Sequence, residues 1–91
     1  MGISAQVSLY PLGQSDLAPA IDAVWKALRA HGLSPQPGAM STLVQGEDQT
    51  VFAALRDAFA DATQFGGAVM VVTVSNVCPA LPPEGSAEHH A

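Results

Sequence analysis

Ser8, Tyr10, Thr42 and Glu47 are the side chains of this sequence whose types and positions suit chemistry with a ligand. A carboxylate at Glu47 can accept the hydrogens of a ligand amino group. Tyr10 offers a ring to stack on and a hydroxyl. Ser8 and Thr42 can donate or accept hydrogen bonds. Each also has a plainer reading: Glu47 as an acid at a helix start, Tyr10 as packing at a subunit contact, Ser8 and Thr42 as ordinary strand residues at such a contact. Catalysis finds less support. Ser8 and Ser75 have no triad partner nearby in sequence, and no acid is placed by sequence to orient His31, which fits a cation at a helix C-terminus. Cys78, beside Pro79, reads as an incidental thiol rather than a nucleophile. The three His and one Cys lack zinc spacing. Gly13 stands alone and Gly66-Gly67 follows a helix, so no loop cradles a phosphate. The expectation is binding without catalysis, metal or cofactor.

The elements that must position these residues follow from hydropathy. Ile3, Ala5, Val7 and Leu9 alternate with Ser4, Gln6, Ser8 and Tyr10, the period of a strand with two unlike faces. Pro11, lacking an N–H, is expected to stop it. Leu17, Ile21, Val24 and Leu28 recur at helical spacing. Ser15 or Asp16 is the expected cap and Gly32 the left-handed stop, giving a helix over 17–31. Residues 33–40 read as an edge strand, because Pro35 and Pro37 place both missing donors on one side. A third strand follows over 40–45. Asp48 is expected to cap a second helix burying Val51, Leu55, Ala58, Phe59 and Ala62, with Phe52 widening the stripe and Arg56, Asp57 and Asp61 facing water. Residues 68–77 form the strongest strand of the chain. Trp25 is read as packing between helix and neighbour.

The order strand, helix, strand, strand, helix, strand predicts an α+β, ferredoxin-like βαββαβ sandwich. Its four-stranded antiparallel sheet has the order 4-1-3-2, with both helices on one face. The open face is expected to carry Gln6, Ser8, Tyr10, Thr42, Val44, Val71, Thr73 and Ser75. The domain is expected over residues 1–79, with a loose, proline-rich tail over 80–91.

Composition narrows the function classes. With 48% apolar and only 12% charged residues, a small domain is short of charge to cover its surface, which points to a homo-oligomer, dimer or tetramer. The last strand would make a long apolar edge, expected to be covered by a second chain or by the tail. The net charge is −5, and Lys26, Arg29 and Arg56 are the whole basic complement, spread over two helices. A nucleic-acid surface needs a basic patch, so that class is set aside. No apolar run approaches the ~20 residues of a membrane span. One cysteine allows no internal disulfide, and the first residues lack the pattern of a signal peptide. The expectation is a cytoplasmic protein.

AQVSLYPLG, MSTLVQGE and VMVVTVSNVCP, in this order around these helices, resemble the thiamine/hydroxymethylpyrimidine-binding protein family over residues 3–79. The resemblance implies a ferredoxin-like fold, dimers and often tetramers, and binding of thiamine or its pyrimidine moiety. Carried onto matching positions, it implies a ligand site of Ser8, Tyr10, Thr42, Gly46 and Glu47. A carboxylate would take the exocyclic amine, hydroxyls would reach the ring nitrogens, and a cationic thiazolium would suit an acidic protein. The proline-rich SPQPG departs from the charged second strand expected of relatives. Two alternatives remain: an oligomeric interaction or regulatory module with no ligand, and a small hydrolase of the acylphosphatase type. The second needs an Arg near the first turn, and PLGQSD has none.

Overall fold

The computed structural model describes residues 1–38 and 41–77. Cys78, the tail and Met40 lie outside the described residues. Four strands and two helices appear in the expected order: β1 (Gly2–Leu12), α1 (Ala18–Ala30), β2 (Gln36–Pro37), β3 (Thr42–Glu47), α2 (Asp48–Ala62) and β4 (Gly67–Ser75). The sheet order is β2-β3-β1-β4, all pairs antiparallel, which is the ferredoxin-like arrangement.

β1 is central and its alternation builds the core. Ile3, Ala5 and Val7 are at most 3% exposed, packed with Val44 from β3, Ala20, Val24 and Leu28 from α1, and Val51, Ala54 and Ala58 from α2. Pro11 does not end the strand, which continues to Leu12 and pairs Pro11 with Ala68. The β3 ladder ends at Val7–Thr42, so by Pro11 the strand has a free side, where a residue without an N–H is tolerated.

Residues directly opposite in an antiparallel pair share a face. Val7 pairs with Thr42 and Ala5 with Val44, so Thr42 and Val44 point toward the helices, not onto the open face as expected. Leu43 and Gln45 take the open face instead, beside Gln6 and Ser4. On β4 the assignment holds: Val71 pairs with Ser8, Thr73 with Gln6 and Ser75 with Ser4. β2 lies at the edge, but only Gln36 and Pro37 pair. Pro35 before the strand and Pro37 within it each lack a donor, which limits the ladder.

α1 ends as its glycine requires. Gly32 has φ +81°, its N–H donates to Arg29 O at 2.9 Å, and Leu33 N–H donates to Leu28 O at 3.1 Å. That is a Schellman closure, and its apolar contact partners Leu28 and Leu33 are both in the core. At the other end Leu17, not Ser15 or Asp16, takes the cap position, and Asp16 one residue before it accepts from the Ala18 N–H at 3.1 Å. The second helix begins differently from expectation: Glu47 takes the cap position and Asp48 the first turn. Its buried stripe is Val51, Ala54, Leu55, Ala58 and Ala62, while Phe52 and Phe59 are 52% and 39% exposed. The stripe centres on small residues because α1 and the sheet approach closely there, displacing both rings to the flank.

Leu28 is fully buried and closes the α1 terminus against the sheet. Leu28→Ala is expected to cost about 2–5 kcal/mol, read as a lower urea midpoint with unchanged slope.

Candidate ligand-binding site

A cavity of about 310 Å³ opens between α1, the C-terminal half of β1 and the β2–β3 connection. Ile21, Val24 and Trp25 form the helix wall; Val7, Ser8 and Leu9 form the sheet wall; Pro37, Gly38, Ser41 and Thr42 close the end. The short β2 makes this space, because a longer strand would carry side chains into it. The end wall is held by two contacts: Gly38 N–H donates to Ser41 O at 2.7 Å, and Gln6 Nε2 donates to Ser41 Oγ at 2.9 Å. The lining is apolar apart from hydroxyls and backbone groups, with one indole. Such a surface can stack a small aromatic ring and meet its nitrogens with hydrogen bonds.

The five site residues expected from sequence divide. Ser8 and Thr42 both line this cavity, but only Thr42 turns its side chain to the helix face; Ser8 shares the open face with Val71. Tyr10 lies outside the lining, 48% exposed and paired with Val69. Gly46 serves packing: a Cβ there would sit 2.9 Å from Leu33 Cδ2 and 3.4 Å from Val51 Cγ2, so β3 and α2 approach through its missing side chain. Glu47 pairs with Gly2 at the far end of β1, six residues and roughly 20 Å from Ser8. Its Oε1 accepts from the Met1 ammonium at 2.9 Å, and Asp48 Oδ1 does so at 3.4 Å. Within one protomer Glu47 therefore does not meet the hydroxyls of the cavity.

Trp25 is the lining residue that sequence reasoning assigned to packing alone. Its signal was a lone indole beside the helix stripe, which does not tell a cavity wall from a core contact. Arg29, one turn further along α1, places its guanidinium carbon 5.0 Å from the Trp25 ring centroid, a cation–π contact.

Outside the cavity, His31 at the α1 terminus does have an acid partner. Its Nε2 donates to Asp57 Oδ2 of α2 at 2.7 Å, and Arg56 Nε is 3.5 Å from the other carboxylate oxygen. Asp57 was expected to face water only. An ionised carboxylate accepts and cannot donate, so Nε2 carries the proton. The pair clamps the two helices. Among the described residues, no group of three or more His, Cys, Asp and Glu could hold a metal ion.

Residues 2–81 match the YKOF-related family. No curated protein matches the chain in sequence. Several solved structures share the fold. A domain of unknown function, DUF77, from Bacillus cereus superposes with a TM-score of 0.77 at 14% identity, covering 100% of this chain and 91% of that one. Protein SP2199 from Streptococcus pneumoniae gives 0.75 at 20% identity, covering 99% and 98%. A Thermotoga maritima protein described provisionally as a thiamine biosynthesis/salvage protein gives 0.77 at 15% identity, covering 100% of both chains.

The hydrogen bond from His31, with the charge of Arg56, holds the Asp57 carboxyl below its ordinary value. A depressed carboxylate stabilises the fold above the ordinary carboxylate pKa, and that contribution is lost as pH falls through the lowered value. Thermal melts of wild type and Asp57→Asn are expected to differ at neutral pH and to converge in acid.

Proposed function

The chain belongs to the YKOF-related family, and from that premise we propose that it binds an aminopyrimidine, thiamine or its hydroxymethylpyrimidine moiety, in the α1 cavity. It performs no bond chemistry and serves to buffer or deliver the compound in the cytoplasm. One observation carries the reading: Trp25 of α1 and Thr42 of β3 line one cavity on the helix side of the sheet. Its volume of about 310 Å³ is at the lower end of small-molecule sites, which suits one substituted ring better than an extended ligand. The Thermotoga maritima neighbour, with its provisional link to thiamine, supports the ligand class. In this reading the Thr42 hydroxyl and backbone groups of the lining meet the ring nitrogens and amine, and Trp25 stacks. Tyr10 then belongs to a subunit contact, Gly46 to the packing of β3 on α2, and Glu47 to the Met1 end of β1.

The same reading includes a homo-oligomer. The register places Tyr10 against Val69, Ser8 against Val71 and Leu12 against Gly67 on the face that no helix covers. Tyr10, Leu12, Val69 and Val71 are each about half exposed there, an apolar cluster of the kind that a second sheet would bury.

Isothermal titration with hydroxymethylpyrimidine and with thiamine is expected to show saturable binding. Trp25→Ala should weaken it by about 1–3 kcal/mol, the usual worth of a base on an aromatic ring. Glu47→Ala should leave it nearly unchanged. Absence of heat and of thermal shift with both compounds would remove the ligand assignment and leave the oligomeric module. Sedimentation velocity tests the second arm: wild type should run as a dimer or larger, and Val71→Lys should shift it toward monomer. Monomeric wild type would refute the oligomer.

A further inference from the structure

Resting on that reading, we propose that the α1 cavity selects an uncharged aminopyrimidine over a cationic one, and that Arg29 sets the preference. An acidic chain of net charge −5 would be expected to welcome a cation. The distribution of that charge says otherwise. No ionisable side chain is among the described residues that line the cavity.

Every described carboxylate is engaged elsewhere. Asp16 accepts from the Ala18 N–H, Glu47 and Asp48 face the Met1 ammonium, and Asp57 accepts from His31. Asp22 and Asp61 line a separate groove with Lys26, between α1 and the end of α2. Glu84 and Glu88 are outside the described residues.

The charge held against the indole is positive. Arg29 lies 5.0 Å from the Trp25 centroid and already uses the ring's electron-rich face. A cationic ligand drawn to the same ring meets the guanidinium across it. Arg29 is exposed, so water screens part of that repulsion, and no carboxylate among the described lining residues offsets the rest. A neutral aminopyrimidine keeps the stack and the hydroxyl contacts without the repulsion. The expectation that an acidic protein favours the thiazolium therefore reverses at this site.

The test compares two ligands of one ring and nearly one size: hydroxymethylpyrimidine and its aminomethyl counterpart, which carries an ammonium in place of the hydroxyl. Thiamine is titrated alongside. Wild type is expected to bind the hydroxymethyl compound at least about tenfold more tightly than the aminomethyl one. Arg29→Gln should narrow that ratio by raising the affinity for both cations. Arg29→Lys, which keeps a charge over the ring, should retain the preference and so separates charge from packing. Equal affinities in wild type, or a ratio that Arg29→Gln leaves unmoved, would overturn the selectivity while the binding function stood. Failure of wild type to bind any of the three would overturn the binding function itself, and the selectivity with it.

Discussion

β1 is shared by two ladders, and its alternation is the constraint on which the rest of the molecule depends. Each residue of the strand sets the facing of a partner on β3, on β4, or on both. Slipping either ladder by one residue would turn Val44 or Val72 out of the core and drive Leu43 or Val71 into it. Ile3, Ala5 and Val7 resist that slip because the two helices pack on them, with Ala20, Ala54 and Ala58 fully buried at the contact. Small side chains on both helices let the layers come close. Gly46 does the same where β3 turns into α2.

The cavity follows from where this packing stops. α1 covers the sheet down to Leu28 and Leu33, but near its start it faces a strand only two residues long. The space beneath Ile21, Val24 and Trp25 is left unfilled, with Gly38 and Ser41, joined by a backbone hydrogen bond, at its end. Electrostatics then separate the cavity from the rest of the surface. Carboxylates sit at helix starts, on the inter-helix clamp and in the groove beyond α1, whereas a guanidinium lies over the indole of the cavity wall. Net charge describes how such a chain meets a distant partner; the nearest side chains decide what enters the site.

Residues within a single element were legible before any tertiary structure. The two faces of β1, the Gly32 stop, the edge position of the proline-bearing segment and the strand order all follow from local periodicity and from which backbone donors are missing. Legibility failed wherever two elements had to meet. Thr42 was placed on the open face, whereas its facing is set by its pairing with Val7 across the ladder, which spacing within β3 does not give. Phe52 and Phe59 were read as core because they are large and apolar, yet the close helix–sheet approach left room for alanines. Asp57 was given to water because its partner His31 lies 26 residues away, on another helix.

By itself the sequence determined the element order, the ferredoxin-like class and the face that β1 turns to the core, because these depend on spacing along one chain. Tertiary structure alone decided that Glu47 stands at the far end of β1 from Ser8, and that Trp25 is a cavity wall. It alone decided that the charge beside that wall is positive. The physical reason is the same in each case. Ladder register and inter-helix distance set which side chains become neighbours, and neither quantity is written in the spacing of residues on any one element.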